Sequence, residues 1–190
     1  MSADTNLQNI MLKSERLTLR SFTEHDAGES FAFATPKLTR FMAWDPSPSP
    51  AAFAQIWRKW LPKMAAGTDL ALVVRVKSSG DFLGMTGLHG IGGAEPEIGI
   101  WIKEVAHRAG YGREAVATTI AWACRSVGAT AFTYPVAVEN LPSRRLAESV
   151  GGKIIGTRKL RKPSGVVLDQ VVYRIVSPAP PASPTEPGAC

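Results

Sequence analysis

Cysteine is scarce: Cys124 and Cys190 are the only two in 190 residues, so the chain has neither a disulfide framework nor a zinc-ligand set to offer. Histidine is nearly as rare, and His25 and His89 stand isolated without ligand-like spacing, which predicts local or surface roles and no metal site. Nothing approaches the roughly 18 consecutive apolar residues needed to span a bilayer. The opening "MSADTNLQNIMLKSERL" has no apolar run behind a basic start, so a cytoplasmic protein with no membrane attachment is expected. Two phosphate signatures are missing as well. No GxxxxGK[ST] occurs and no GxGxxG opens the first strand–helix unit, which argues against P-loop hydrolysis and dinucleotide binding.

What remains is ordinary globular composition, 45% hydrophobic and 20% charged, in a length that suits one domain. Twenty-two Lys and Arg against sixteen Asp and Glu give a net charge of +6, which favours an anionic partner at long range. A nucleic-acid-binding domain is one class this charge admits. Against it, the basic residues are not interleaved with an aromatic stacking platform, and no helix-turn-helix or RNA-binding pattern occurs. The basic segment Arg144 to Lys162 reads either as a solvated face or as an attractor of phosphate. The end, "SPAPPASPTEPGAC", is Pro- and Ala-rich without apolar periodicity, so the domain is placed at 1–176 and a disordered tail at 177–190.

Periodicity predicts an α+β (mixed α/β) fold with about seven strands and four helices. "ERLTLRSF" alternates apolar and polar residues as a half-buried strand over 15–22. "TEHDAGESFAFAT" is a short helix stopped by Pro36, and Phe53, Ile56, Trp57, Trp60 and Leu61 mark a second, ending near Gly67. "KSSGD" joins two strands as a hairpin at Gly80, and "EIGIWIKE" is a fourth strand. A helix follows from Gly112 to the stop at Gly128, with Cys124 as a small buried residue. "AFTYPVAV" is a fifth strand, "ENLPSRRLAESVGG" a short helix capped by Asn140 with Pro142 behind it, and two strands close the domain around Pro163 to Gly165.

One junction carries chemistry. In "IWIKEVAHRAGYGREAVATTIAW" a strand passes through a glycine-bearing loop into a helix, which aims unpaired N–H groups and the positive end of the helix dipole at one spot. Gly110 and Gly112 allow close backbone approach, and Arg108 and Arg113 add charge-assisted donors. By spacing alone the stretch is either a phosphate cradle or a plain turn before a helix.

The residues resemble the GCN5-related N-acetyltransferases (GNAT), whose [Q/R]-x-x-G-x-[G/A] element falls on His107, Arg108, Ala109, Gly110, Tyr111 and Gly112. The "GYGREA" ending is similar to the branch of ribosomal-protein N-terminal (RimJ/RimL-type) acetyltransferases. "VENLPSRRLAESVGG" matches that branch's later element at Asn140, Ser143 and Gly151, so the resemblance covers about residues 12–176. Two letters depart from the pattern: His107 replaces Gln or Arg, and Arg108 stands where glycine is frequent.

The resemblance implies a mostly antiparallel twisted sheet and an acetyl-CoA-dependent acyltransferase without a metal. Its acceptor would be an amine, either a small molecule or a protein N-terminus, attacking the thioester directly; the alternative is a non-catalytic acyl-CoA-binding module. Coenzyme A pyrophosphate would lie on Arg108, Ala109, Gly110, Tyr111, Gly112 and Arg113, and its pantetheine arm along the main chain of Ile102 and Lys103 and against Asn140. Glu97 is the expected base, with Glu95 weaker because Pro96 separates them, and Ser143 is the expected partner of the leaving sulfur. Of the tryptophans, Trp57 and Trp60 are expected in the core and Trp44 in the acceptor cleft. Pairing of two copies through the C-terminal strands is also expected.

Overall fold

The alternation of Leu17 and Leu19 with polar residues becomes β2 (Leu17–Ser21), with Leu17, Leu19 and Ser21 buried on one side. The computed structural model describes residues 6–176 and places β2 in a sheet with β1 (Met11–Lys13), β3 (Asp69–Val76), β4 (Phe82–His89), β5 (Glu97–Ile102), β6 (Ala131–Ala137), β7 (Lys153–Arg161) and β8 (Val167–Val176). The strand order is β1-β2-β3-β4-β5-β6-β8-β7. Every neighbouring pair is antiparallel except β5–β6, the one parallel contact. The predicted tail, with Cys190, lies outside the described residues.

The expected fold class holds, with one strand more than predicted. β1 is only three residues, Met-Leu-Lys with Met11 exposed, too short to register as an alternating pattern. The helices are α1 (Ala27–Phe33), α2 (Pro36–Thr39), α3 (Pro50–Trp57), α4 (Trp60–Ala65), α5 (Tyr111–Ser126) and α6 (Leu141–Ser149). Pro36 lies beyond the end of α1 and opens α2, where Thr35 accepts from the Leu38 N–H as its cap. The second predicted helix is broken into α3 and α4. Pro62 has no N–H to give the carbonyl of Arg58, so the α-helical ladder is interrupted at Arg58 and Lys59.

The sheet carries a core on each face. On one, Leu70, Leu72, Val74, Ile98 and Ile102 pack with Val116, Trp122 and Ala123 of α5 and Ala147 of α6. On the other, Phe22, Val73, Phe82 and Met85 pack with Phe53 and Trp57 of α3. Trp57 is therefore core, as expected, and Cys124 is half-buried on α5.

One ion cluster, centred on the buried Asp26, ties this second layer down. The Asp26 carboxylate accepts from both terminal nitrogens of Arg20, at 2.7 and 2.6 Å, from Arg75 at 3.1 Å, and from the N–H and hydroxyl of Thr23 at 2.9 Å. Arg75 also pairs with Glu29 of α1. Burial alone would raise the Asp26 pKa, but the bonds from Arg20, Thr23 and Arg75 hold it below the ordinary carboxylate value.

Candidate active site

The site begins where two strands part. β5 and β6 share one ladder position, Glu97 opposite Thr133, with the Thr133 N–H donating to the Pro96 carbonyl at 3.0 Å. Thr133 turns its N–H toward β5, so alternation turns the nitrogen of Pro135, two residues on, the same way. That nitrogen bears no hydrogen, and the strands stay unpaired beyond Glu97. On β5 the N–H of Lys103 points away, donating to Leu83 on β4 at 2.7 Å, so by the same alternation Ile100 and Ile102 direct their N–H groups into the gap.

The main chain of Lys103 is partly engaged within the protein. Its N–H is taken by Leu83, its carbonyl accepts from Ala106 at 2.9 Å, and its ammonium sits 5.0 Å from the centre of the Phe33 ring. Its N–H is therefore committed to β4, and its carbonyl keeps one lone pair. Ile102 keeps its inward N–H, while its carbonyl accepts from His107 Nε2 at 2.6 Å. That bond gives the first unusual motif letter a structural role, pinning the loop to the end of β5.

Beyond this the chain turns at Arg108 (φ 64°), the one non-glycine residue with positive φ among the described residues, and again at Gly110 (φ 80°), which precedes α5. A left-handed arginine explains why glycine would suit position 108. No side chain caps α5, so the N–H groups of Tyr111, Gly112 and Arg113 in its first turn are available to an anion, and Glu114 is the first to bond back, to the Gly110 carbonyl at 3.2 Å. The Arg108 and Arg113 side chains are exposed at this turn, and neither joins an ion pair among the described residues.

The cradle is braced from below. Arg16 donates to the Ala109 carbonyl at 3.0 Å, pairs with Glu114 at 2.7 Å and lies over the Tyr111 ring. Burial would raise the Glu114 pKa, but the Arg16 N–H, the Ser14 hydroxyl and the Arg16 guanidinium lower it overall. Gly112 serves packing: a Cβ there would come 2.9 Å from Leu146 Cδ1, with Ile100 and Ile102 side chains at 3.8 Å. Its small size lets α5 close onto β5 and α6.

On the opposite face of the sheet lies a cavity of about 320 Å³. In-register pairing sets its floor: Gly87 faces Gly99 across β4 and β5, flanked by His89–Glu97 on one side and Met85–Trp101 on the other. Two facing glycines leave the middle of the sheet bare. Phe41, Trp44, Ile56 and Trp60 contribute its apolar wall. Trp44 lines this cavity, and Trp60 both lines it and packs edge-on against Phe22 at 5.1 Å. The loop bearing Phe41 and Trp44 is latched to the β7–β8 turn, where Asp45 accepts from Lys162 Nζ at 3.0 Å and from the N–H and hydroxyl of Ser164 at 2.8 and 3.0 Å.

Glu97 lines this cavity, with one carboxylate oxygen 3.1 Å from Arg158. Glu95 is absent from the lining and pairs with Arg174 at 2.7 Å. Asn140 caps α6, its side-chain oxygen accepting from the Ser143 N–H at 3.3 Å, which leaves its amide nitrogen for a ligand. Ser143 lines the same cavity and its Oγ lies 2.9 Å from the Tyr134 hydroxyl. Burial pushes the Tyr134 pKa up to about 12, against the lowering effect of the Ser143 bond. Tyr134 therefore stays protonated, and when it donates to Ser143 Oγ the serine proton is free to point elsewhere.

Several partners were not legible from sequence. Tyr134 reads there as one more strand residue, and Pro135 is the single signal that the strand has an open edge. The basic segment is largely committed within the protein: Arg144 bonds Tyr173, Arg158 bonds Glu97 and Gln170, Lys159 pairs with Asp169, and Lys162 is buried.

A parted parallel strand pair thus joins an uncapped helix start at one end to a cavity with ionisable walls at the other. The model of the acetyltransferase (GNAT) domain family matches residues 16–153, and the chain belongs to that family. It is an acetyl-CoA-dependent N-acetyltransferase by that membership. A comparison with curated protein sequences gave no match. Among solved structures, the fold is similar to RimL, a ribosomal L7/L12 α-N-protein acetyltransferase in complex with coenzyme A, at 16% identity and TM-score 0.78, covering 88% of this chain and 98% of that one. It is similar to the ribosomal-protein-S5-alanine acetyltransferase of Vibrio fischeri at 17% identity and TM-score 0.74, covering 88% and 97%. A GCN5-related N-acetyltransferase from Brucella melitensis shares 20% identity with TM-score 0.72, covering 90% and 80%. No helix among the described residues is long and apolar enough to cross a membrane.

Proposed function

We propose that acetyl-CoA lies with its pyrophosphate on the N–H groups of Tyr111, Gly112 and Arg113 and its pantetheine arm in the gap between β5 and β6, delivering the thioester to a primary amine in the cavity. The observation that carries this reading is the strand parting beyond Glu97 and Thr133, which connects the uncapped start of α5 to the cavity. Arg108 and Arg113 add guanidinium charge to the phosphates, and Ala109 holds the loop through Arg16. The inward N–H groups of Ile100 and Ile102 bond the arm and face the carbonyl oxygen as charge develops on it. The amide nitrogen of Asn140 adds a contact to the arm.

Chemistry then needs an amine held in place and a leaving sulfur that is stabilised. Glu97 accepts from the ammonium of the incoming acceptor with the oxygen not engaged by Arg158. Ser143, oriented by Tyr134, donates to the departing thiolate. The aromatic wall at Phe41, Trp44 and Trp60 favours an acceptor with an apolar group beside its amine, which a small aromatic amine or a protein N-terminal residue supplies.

The test titrates acetyl-CoA by calorimetry, then follows thiol release with L-phenylalaninamide, spermidine and peptides carrying N-terminal Ala or Ser. Saturable binding and amine-dependent release, greater for phenylalaninamide than for spermidine, are expected. Absence of binding sinks the cofactor reading, and binding without release sinks the transferase reading.

Two variants refine it. Ser143→Ala should lower kcat about tenfold while acetyl-CoA affinity stays within about threefold, since a sulfur donor acts on the leaving group; an unaltered rate removes Ser143 from the reaction. Arg108→Gly relieves a left-handed arginine but enlarges the freedom of the unfolded chain, so stability should move by about 1 kcal/mol or less. Acetyl-CoA affinity should nonetheless fall, with the loss shrinking as salt rises. Unchanged low-salt affinity would reduce Arg108 to a turn residue.

A further inference from the structure

Three strands bring a carboxylate, an imidazole and a second carboxylate into one row. Asp69 on β3 stands opposite His89 on β4, and His89 stands opposite Glu97 on β5. Their side chains project from the same face of the sheet as the cavity, and all three line it.

The imidazole is oriented by its neighbours. His89 Nδ1 lies 3.3 Å from Asp69 Oδ2, and a carboxylate can only accept, so Nδ1 carries the hydrogen. Asp69 is fixed in turn, its second oxygen accepting from the Gly90 N–H at 3.1 Å and Oδ2 also accepting from Lys63 at 3.1 Å. His89 Nε2 is thereby left with an available lone pair, lying 3.6 Å from where a Cβ on Gly99 would stand. The bare glycine floor is what gives that nitrogen access to the cavity. The charged groups facing His89 are Asp69 on β3, with Lys63 of α4 behind it, and Glu97 on β5, with Arg158 of β7 behind it.

We infer that His89 is the proton acceptor of the transfer reaction and Asp69 its positioning residue, with Glu97 holding the acceptor ammonium alongside. This rests on the transferase reading above. An imidazole, whose ordinary pKa is near 6.5, suits a proton taken from an amine at neutral pH, and a carboxylate on its far nitrogen stabilises the imidazolium as it forms. In the step, the acceptor ammonium beside Glu97 first releases one proton to solvent; the neutral amine nitrogen then forms a bond to the thioester carbonyl carbon and gives a second proton to His89 Nε2. The C–S bond then breaks, the electron pair leaves on sulfur against the Ser143 hydroxyl, and the thiolate is protonated from solvent while His89 returns its proton to solvent. Products are the N-acetyl amide and the free thiol.

The test uses full-length protein, saturating acetyl-CoA and L-phenylalaninamide across pH 5.5 to 9. In His89→Asn, kcat should fall at least about 100-fold with acetyl-CoA affinity unchanged by calorimetry, and the acidic limb of kcat/KM should lose the wild-type histidine inflection. Added imidazole should restore part of the rate to His89→Gly, a recovery that a purely structural role would not give. Asp69→Asn should displace the acidic limb, and Glu97→Gln should act mainly on KM. Wild-type kcat and an unaltered acidic limb in His89→Asn overturn the inference. Loss of turnover and limb in Glu97→Gln with His89→Asn active transfers the role to Glu97. If wild-type protein binds acetyl-CoA but never releases thiol, the transferase reading falls, and this one with it.

Discussion

Gly110→Val should lose acetyl-CoA affinity by at least about 100-fold while the circular dichroism spectrum and cooperative unfolding remain. Gly110 holds φ at 80°, a conformation that a β-branched residue adopts only under strain. The added Cβ would also meet Arg16 Nη2 at 3.3 Å, and Arg16 is the side chain that braces the loop through Ala109 and Glu114. The cheapest relief is for residue 110 to leave the left-handed region. That reorients the following peptides, and with them the three N–H groups that would grip the pyrophosphate.

The local cost, about 1–3 kcal/mol, is small against a total stability of about 5–15 kcal/mol, so the fold survives while the cradle does not. Gly112→Ala makes the contrast. Its new methyl would meet the end of a flexible leucine, Leu146, which can shift, so affinity should change far less. Calorimetry on both variants decides the matter, and a Gly110→Val protein that binds like wild type would move the cradle elsewhere.

The second large effect falls on stability. Asp26→Ala should destabilise the protein by about 3–5 kcal/mol at pH 7, because it removes the anion shared by Arg20 and Arg75 and leaves both guanidinium groups without it. The carboxylate is 1% exposed, so its contacts with both arginines are shielded from solvent in the folded protein. Its folded pKa lies below its unfolded value of about 3.8, so its stabilising contribution is present above the unfolded pKa and disappears as pH falls through the folded one. Denaturant unfolding at pH 7 and at pH 2.5 should therefore show a wide gap between wild type and variant at neutral pH that narrows in acid. A gap of equal width at both pH values would deny Asp26 the electrostatic role.

Features built from contiguous residues were legible in the sequence, and those built from distant contacts were not. The strand–loop–helix junction was legible because everything that makes it is contiguous: an apolar strand, two glycines, then a helical period read from Gly112. The hairpin at Gly80 was legible for the same reason, and its φ of 77° bears this out. The row Asp69–His89–Glu97 was not, because it exists only through register, and the link between β4 and β5 contains glycines at positive φ, Gly90 and Gly92, that fix no standard two-residue turn. An isolated histidine in the sequence thus becomes the middle of a three-strand row. Charges misled in the opposite direction. Lys162 counted as part of a basic run, yet its partner Asp45 lies over a hundred residues away and the lysine is buried.

Pro135 has a wider consequence. Two neighbouring parallel strands with free donors and acceptors would ordinarily zip together whenever no ligand lay between them, and a cofactor would then have to pry them open against that ladder. A ring in place of one N–H removes a rung of that ladder and weakens the collapsed alternative. On the proposed placement of the cofactor, less of the free energy of its contacts is diverted to separating strands and more goes into affinity and orientation.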